Sequence, residues 1–239
     1  MATKVDPKSK TTKPAPPPEA IEPERDPFAW LKAHQRLLTV AALVLAVIAG
    51  GAWLTISTAQ RKEAAAQVAL EQARNAFDSQ NLPAAASEFQ RVAQTYSGTR
   101  AATEAMIALN QVRMINGQNE LAIVSLREVL DQKPDPQYAV PAAGLLGAAL
   151  ENVKRPGEAA EAYDAASRMA DVEYLKAEYL IEAGRAYVAA GQTDRAKEVY
   201  ERIVTDYPDT PSYTEAQVRL GEVLKGDLSQ VPDRLRGGQ

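Results

Sequence analysis

Four glutamates at helical spacing are the residues of this chain whose type and position come closest to catalytic chemistry. Glu178 and Glu182 lie four residues apart, and Glu198 and Glu201 lie three apart. Each pair would therefore share one face of a helix. Paired carboxylates can act as a general acid and a general base. At this spacing on an amphipathic helix, however, they far more often belong to a solvated face, and we interpret them in that way.

The other components of a catalytic or metal site are scarce in this sequence. It contains no cysteine and one histidine, His34, which excludes thiolate nucleophiles, thiolate metal ligands and multi-histidine metal sites. A serine or threonine nucleophile needs a base beside it, and His34 lies at the edge of an apolar segment. The sequence also lacks glycine-rich phosphate loops and calcium-loop spacings. It predicts a protein that is not an enzyme and has no catalytic, metal or cofactor site.

The charge distribution narrows the class of partner. Residues 1–36 hold seven Lys/Arg and five Asp/Glu, a net charge of +2, whereas the remainder holds 20 and 26, a net charge of −6. A general nucleic-acid binder needs a basic face to neutralise phosphates, which an acidic body does not offer. We therefore expect protein partners, with no nucleic acid and no small-molecule substrate.

The N-terminal residues 1–27 carry seven of the 15 prolines and little apolar bulk, which predicts a disordered tail. The Pro-Ala-Pro-Pro-Pro run at 14–18 can adopt polyproline II and dock on an aromatic groove. Composition alone favours a plain spacer.

An apolar stretch at 37–57, LLTVAALVLAVIAGGAWLTIS, predicts a single transmembrane helix within the segment 28–62. It carries no charge between Arg36 and Arg61 and reaches the roughly 20 residues that a membrane crossing needs. Trp30 and Trp53 flank it at interface depth. A cleaved signal peptide, ending near Ser57-Thr58-Ala59, is the main alternative, but the preceding region and the apolar core are both too long. A buried core helix is disfavoured because the stretch is apolar around its whole circumference.

Basic residues near the two ends of this stretch do not decide its orientation by themselves. Three lie on each side: Arg25, Lys32 and Arg36 before it, and Arg61, Lys62 and Arg74 after it. The short tail as a whole has seven basic residues, and long domains translocate largely regardless of their charge. We therefore predict a single-pass protein of a bacterial inner membrane, with a cytoplasmic N-terminus and a periplasmic C-terminal domain. The opposite orientation is the alternative.

A unit of 37 residues recurs after the apolar stretch without gaps. Four columns of small or apolar residues share this register: Ala85, Ala122, Ala159, Ala196; Phe89, Leu126, Tyr163, Tyr200; Val92, Val129, Ala166, Ile203; and Leu109-Asn110, Leu146-Gly147, Ala183-Gly184, Leu220-Gly221. Agreement of four columns is strong evidence of a repeat. Small residues let two antiparallel helices approach closely, and we expect the aromatic or leucine column to fill the space between one helix pair and the next.

Turn residues fall between the periodic segments. Gly117 and Gly191 suit the left-handed end of a first helix, and Pro134 and Pro208 stop a second helix. We expect turns near residues 80, 117, 154 and 191. The units begin near 66, 103, 140 and 177, and a half unit at 214–225 closes the stack, so the domain covers 63–225 and a flexible tail covers 226–239. Stacking of neighbouring units supplies the core.

These residues resemble a known repeat pattern. Leu146-Gly147, Gly184, Tyr187, Gly191, Ala196, Tyr200 and Pro208 look like the tetratricopeptide repeat, whose usual period is about 34 residues. The longer period and the stretch 207–224, YPDTPSYTEAQVRLGEVL, are similar to the TolA-binding and outer-membrane-assembly lipoprotein families. The polar tail, the juxtamembrane stretch DPFAWLKAHQRLL at 26–38, one span and C-terminal repeats together resemble the ancillary subunit of the bacterial Sec translocon.

The resemblance implies an all-α, right-handed helical-repeat solenoid of about nine short helices after one transmembrane helix. It also implies a peptide-binding groove lined by positions 5, 9 and 12 of each unit. Those positions are Ile107, Gln111, Met114, Gly144, Ala148, Glu151, Ile181, Arg185 and Val188. A carboxylate clamp is poorly supported because the set contains one arginine. The alternative is that these residues merely pack helices.

The expected function is that of a membrane-tethered scaffold, a chaperone-like accessory of the bacterial secretion machinery. Its partners would be the Sec translocon or other envelope machinery, and unfolded polypeptides. Two alternatives remain: a scaffold that coordinates cell division or cell-wall synthesis, and a structural spacer within a membrane complex.

Overall fold

The computed structural model describes residues 34–224, and every regular element in that range is an α-helix. Nine helices occupy the range: α1 Gln35–Asp78, α2 Leu82–Thr95, α3 Arg100–Ile115, α4 Asn119–Asp131, α5 Pro136–Asn152, α6 Pro156–Met169, α7 Glu173–Ala189, α8 Thr193–Asp206 and α9 Ser212–Val223. Each helix from α2 onward packs against the next one along the chain. The all-α prediction is confirmed. Trp30, Lys32 and Arg25 and the two predicted tails (1–27 and 226–239) lie outside the described residues.

Helix α1 is 44 residues long and contains the whole apolar stretch. Its most apolar window has a mean hydropathy of 2.4, so α1 is long and apolar enough to cross a membrane. Side chains of the stretch are exposed, among them Leu45, Val47 and Trp53. The chain divides after Leu54 into two compact units, and the second contains all the repeats.

The first helix of the first repeat is not a separate element but the C-terminal part of α1. Ala66, Leu70 and Ala73 of α1 are buried in one apolar cluster with residues of α2 and α3, such as Phe89. Eight short helices therefore follow α1 in the described range, where the sequence predicts about nine. The reason is local: residues 58–70 contain no proline or glycine and consist mainly of strong helix formers, so nothing interrupts the helix.

Each helix pair turns through the same backbone motif. The left-handed residue of the turn is Gln80, Gly117, Lys154 and Gly191 in successive units, with φ of 59°, 74°, 61° and 72°. In every case the backbone N–H of this residue donates to the carbonyl of the residue three positions earlier. The N–H of the next residue donates to the carbonyl five positions before itself. That pair of bonds is a Schellman motif, which satisfies carbonyls at a helix C-terminus. The turns therefore recur at the predicted 37-residue interval, even where glycine is replaced.

The repeated columns form the core. All four alanines of the Ala85 column are buried, and so are the aromatic or leucine residues four positions later. The tyrosines of that column lie on a glycine of their own unit: a Cβ atom on Gly147 would stand 2.6 Å from the Tyr163 ring, and one on Gly184 would stand 2.4 Å from the Tyr200 ring. The ring therefore packs on the glycine of its own helix pair, whereas the sequence predicts that it fills the space between one pair and the next.

Polar contacts attach α1 to the turn that precedes α3. The Lys62 ammonium donates to the Ser97 carbonyl at 2.7 Å. The Glu63 carboxylate accepts from the backbone N–H groups of Arg100 at 2.9 Å and Ala101 at 3.1 Å. Glu63 thus satisfies two of the free N–H groups at the N-terminus of α3 and complements the helix dipole. Burial raises the pKa of Glu63, but these hydrogen bonds outweigh it and the pKa is lowered.

We expect Glu63→Ala to reduce the free energy of unfolding by about 1 kcal/mol at pH 7, as for loss of a helix cap. Because the folded-state pKa is lowered, the contribution is fully present above the unfolded-state pKa of Glu63 and disappears as the pH falls through the folded-state value. Thermal melts at pH 7 and pH 3 measure it. The difference between wild type and variant should shrink at pH 3, and an equal difference at both pH values would contradict the capping role.

Candidate functional site

The nine predicted groove residues differ widely in exposure. Gly144 and Ile181 are buried, because Gly144 lies under the ring of Tyr179 and Ile181 belongs to the apolar core. Four are half-buried: Ile107, Met114, Ala148 and Glu151. Three are exposed: Gln111, Arg185 and Val188. The described residues therefore present at most seven of these side chains to a partner.

Two of the exposed residues, Arg185 and Val188, line a cavity of about 450 Å³. It lies between α7, α8 and α9, where the fourth unit meets the closing half unit. Tyr200 from α8 also lines it, as do three residues of α9: Arg219, Glu222 and Val223. The cavity combines valine and aromatic surface with charged groups at its edge.

At the corresponding positions of the third unit, a hydrogen bond joins two side chains. There the Tyr163 hydroxyl donates to Glu151 Oε2 at 2.8 Å. Burial raises the pKa of Tyr163, and the hydrogen bond to Glu151 raises it further. Both residues have counterparts one 37-residue period later, Tyr200 for Tyr163 and Val188 for Glu151. A valine side chain cannot accept a hydrogen bond, so the fourth unit lacks this hydrogen bond.

Tyr200 consequently keeps a free hydroxyl beside the cavity. Tyr200 is 1% exposed as a whole, and within residues 34–224 its hydroxyl has no protein hydrogen-bond partner. Every buried side-chain polar atom of these residues has a partner, so the Tyr200 hydroxyl oxygen itself reaches solvent through the cavity. Burial raises the pKa of Tyr200 to about 12, so the hydroxyl is protonated at neutral pH and can donate. Arg219 and Arg185 lower the pKa of this hydroxyl, since both guanidinium groups lie near it.

Both arginines at the cavity are already paired with carboxylates. Arg185 lies 2.8 Å from Glu182 and 4.0 Å from Glu151. On α9, Arg219 lies 3.4 Å from Glu215 and 3.1 Å from Glu222. Of these six charged residues, Arg185, Arg219 and Glu222 line the cavity itself.

Glu182 is half-buried, and burial is the main influence on its pKa. Burial raises its pKa, Arg185 lowers it, and Glu151, Glu215 and Glu178 raise it again, with a net increase.

The glutamate pairs considered for acid–base chemistry lie on the surfaces of α7 and α8. Glu178 and Glu198 are exposed, and Glu201 lies 4.0 Å from Lys197. A second cavity of about 410 Å³ lies near Glu198, and its arginines are paired: Arg195 with Glu161 and Arg202 with Asp164. The cavity between α7, α8 and α9 is the better candidate for binding, because its lining combines apolar side chains with charged ones, whereas four of the six residues that line the second cavity are charged.

Tyr200, Arg219 and Glu222 are site residues that the groove prediction does not include. Glu222 stands 37 residues after Arg185, so extending position 9 to the half unit would have found it. No groove position in the sequence points to Tyr200, because its column is predicted to lie in the core. Its hydroxyl becomes available only because Val188 replaces a glutamate, which is a feature of side-chain geometry.

Comparison with known proteins agrees with the repeat assignment. The model of the tetratricopeptide repeat-like domain family matches residues 29–223. No curated protein sequence matches this one significantly.

Three solved structures illustrate the similarity of fold. The crystal structure of MamA protein aligns with a TM-score of 0.55 and 19% identity, covering 72% of this chain and 86% of that one. A tetratricopeptide repeat protein from Parabacteroides merdae aligns with a TM-score of 0.54 and 12% identity, covering 66% and 59%. The nearly identical repeats of a putative kinesin light chain from Podosopora anserina give a TM-score of 0.55 and 18% identity, covering 71% and 89%.

Sequence identities as low as these establish the fold alone. This fold is typical of scaffolds for protein–protein interaction. The family model covers most of the chain, including all nine described helices from their first turns to Val223. The chain belongs to the tetratricopeptide repeat-like domain family.

Proposed function

We propose that this protein is a membrane-tethered scaffold that assists the bacterial secretion machinery by binding polypeptides close to the membrane. The observation that carries the proposal is the continuity of α1. One helix contains both the apolar stretch and the first helix of the repeat domain. An anchor of this kind raises the local concentration of the repeats at a membrane, which compensates for weak contacts.

The choice of partner rests on the layout of the chain. A short basic tail, one apolar stretch and C-terminal repeats resemble the ancillary subunit of the Sec translocon, and that resemblance supports a translocon partner. The surface for polypeptides is then the edge that carries Gln111, Arg185 and Val188, which are the exposed members of the predicted groove.

The proposed topology places the N-terminus in the cytoplasm and the repeats in the periplasm of a bacterial inner membrane. Its support is the basic tail, with seven Lys/Arg among residues 1–36, whereas the remaining chain is acidic. Residues 28–62 would form the anchor and its flanks, and residues 63–225 the repeat domain.

Photo-crosslinking in intact cells tests the function. A crosslinking amino acid at Gln111 or Arg185 should capture translocon components or exported chains, and a pull-down from solubilised membranes should recover the same proteins. Val124, an exposed residue of α4 outside the predicted groove, is the matched control position and should capture neither.

The result also separates the alternatives. Recovery of cell-division or cell-wall proteins without any translocon component would replace the proposed role with that of an envelope coordinator. Recovery of nothing from either groove position would favour a spacer. Protease treatment of intact spheroplasts checks the topology: the repeats should be digested while a tag on the N-terminus is protected.

A further inference from the structure

We infer that residues 226–233 of the same chain, GDLSQVPD, turn back past the end of α9 and cover the cavity between α7, α8 and α9. Leu228 and Val231 are the side chains that enter it. Three observations on the described residues and the sequence carry the inference: the place where α9 ends, the residue types that follow it, and the charges of the cavity and the segment. The inference goes beyond the proposed function, because it concerns a contact within the chain.

Helix α9 ends at the cavity itself. The first helices of the four units end at intervals of 37 residues, at Asp78, Ile115, Asn152 and Ala189. The next position in this series is 226, but α9 ends three residues earlier, at Val223, which lines the cavity together with Glu222. Leu224 is buried, so the chain is held against the repeats up to this point. The segment that follows therefore starts beside the cavity.

This starting point brings the apolar residues of the segment within reach of the cavity. An extended chain spans about 3.3 Å per residue, so Leu228, five residues after Val223, can lie up to about 17 Å from it. A volume of about 450 Å³ corresponds to a sphere about 10 Å across. Gly226 suits a reversal of chain direction, because glycine adopts backbone conformations that other residues avoid. A tether this short gives an effective concentration on the order of millimolar, which favours even weak contacts.

The residues after α9 do not continue the repeat with another second helix. Second helices begin at intervals of 37 residues, at Leu82, Asn119, Pro156 and Thr193, so the next would begin at residue 230. The alanine column of that helix would fall on Asp233 and the aromatic or leucine column on Gly237. An aspartate is costly to bury at a tight helix crossing, and a glycine has no side chain to fill the place of a ring. The repeat therefore does not commit this segment to pairing with α9 as a helix.

The cavity and the segment match in apolar surface and in charge. Val188, Ala189 and Val223 line the cavity, and burying Leu228 and Val231 against them removes apolar surface from water.

The charged residues of the cavity lining are Arg185, Arg219 and Glu222, with a net charge of +1. Residues 226–233 contain two aspartates and no basic residue, a net charge of −2. Opposite net charges attract, so the lining favours this acidic segment.

Disulfide formation between introduced cysteines tests the contact, and the chain contains no cysteine of its own. Ala189 is exposed and lines the cavity, and Ser229 follows Leu228. In the full chain in detergent micelles, Ala189→Cys with Ser229→Cys should form an intramolecular disulfide under mild oxidation at least about 10-fold faster than Val218→Cys with Ser229→Cys. Val218 is the matched control: it is 57% exposed on α9, does not line the cavity, and is closer to Ser229 in sequence, so an undocked segment would favour it.

Substitutions in the segment identify the side chains responsible. Leu228→Asp with Val231→Asp should lower the disulfide rate of the Ala189–Ser229 pair to that of the control pair, because the apolar groups that enter the cavity are lost. Leu235→Asp lies beyond the segment and should leave the rate unchanged. Equal rates for the Ala189 and Val218 pairs would overturn the inference, and so would a rate that Leu228→Asp with Val231→Asp does not lower.

A docked segment would also cover Arg185 and Val188, two of the three exposed residues of the predicted groove. If the proposed function holds, Leu228→Asp with Val231→Asp should raise crosslinking of exported chains from Arg185 several-fold and leave crosslinking from Gln111 unchanged. Fast disulfide formation between the Ala189 and Ser229 positions, with no capture of any protein from Gln111 or Arg185, would support this inference and contradict the proposed function. Capture from both positions, with equal disulfide rates for the two cysteine pairs, would support the proposed function and overturn this inference.

Discussion

Gly184→Ala should lower the free energy of unfolding of the repeat domain by about 3 kcal/mol, although alanine is the better helix former. The added methyl group would stand 2.4 Å from a ring carbon of Tyr200, a distance that requires the ring or the helix to move. Tyr200 is fully buried, so its ring has little room to move. Overpacking of this kind usually costs about 1–3 kcal/mol, and a contact this short belongs at the upper end of that range.

Gly221→Ala is the matched control for this substitution. Gly221 occupies the same column one period later, but a Cβ atom there meets nothing within 4 Å. With no clash, the higher helix propensity of alanine should leave stability unchanged or raise it by up to about 1 kcal/mol. Thermal unfolding of the full chain in micelles, followed by far-UV circular dichroism, compares the two variants.

The cause can be isolated with a second substitution at Tyr200. In the second unit the corresponding positions are Asn110 and Leu126, which shows that a leucine in place of the ring leaves room for a larger residue opposite. In a Tyr200→Leu background, Gly184→Ala should therefore cost less than about 1 kcal/mol, a coupling of about 2 kcal/mol between the two sites. If Gly184→Ala destabilises the Tyr200→Leu variant as much as it destabilises the wild type, the added methyl group does not clash with the tyrosine ring.

The helical content and the turns of this chain are predictable because they depend on local residues. Alanine-rich segments with apolar residues at helical spacing form the helices, and the 37-residue register places the turns at Gln80, Gly117, Lys154 and Gly191. Two of these four are not glycine, and the register locates them nevertheless. What repeats is the spacing of the helical segments and the hydrogen bonds of the turn, which is left-handed even at Gln80 and Lys154.

The position of the tyrosine ring is not predictable in the same way. Gly184 and Tyr200 are 16 residues apart, and a large residue opposite small ones satisfies the pattern equally well within a helix pair or between pairs. Only the crossing of α7 with α8 places the ring on its own unit's glycine. The sequence correctly predicts both columns as core residues, but it places the aromatic column between one helix pair and the next, whereas Tyr163 and Tyr200 pack on a glycine of their own pair.

The candidate cavity depends on a departure from the repeat, and this is why the groove prediction captures only part of it. Position 12 is Glu151 in the third unit and Val188 in the fourth, and the difference releases one hydroxyl. The half unit then contributes Arg219 and Glu222, which the prediction did not extend to. A rule based on family positions finds residues that recur, whereas this cavity exists because two neighbouring units differ.

The largest expected effect concerns the apolar part of α1. Replacing both Val44 and Val47 with arginine should release the protein from membranes, because each arginine at the centre of a transmembrane helix costs about 2.5–3.5 kcal/mol, or about 5–7 kcal/mol for two. Both valines are exposed, so neither substitution disturbs the core of the repeats. Val68→Arg is the control: Val68 is exposed on the same helix but lies beyond the apolar stretch, and it should leave membrane association unchanged.

Carbonate extraction of membranes measures this effect, with a tag at the N-terminus and an antibody against the repeats. The wild-type protein and Val68→Arg should remain in the pellet with both signals, whereas the double-arginine variant should move to the soluble fraction. If the double variant resists extraction as the wild type does, residues 37–57 are not the membrane anchor. If the wild-type repeats are soluble and the tag is lost, the apolar stretch is a cleaved signal sequence, and the tethered scaffold proposed above is wrong. A single uncleaved span requires that the wild type retain both signals in the pellet and that the variant lose both, since one helix then contains the anchor and the first helix of the first repeat.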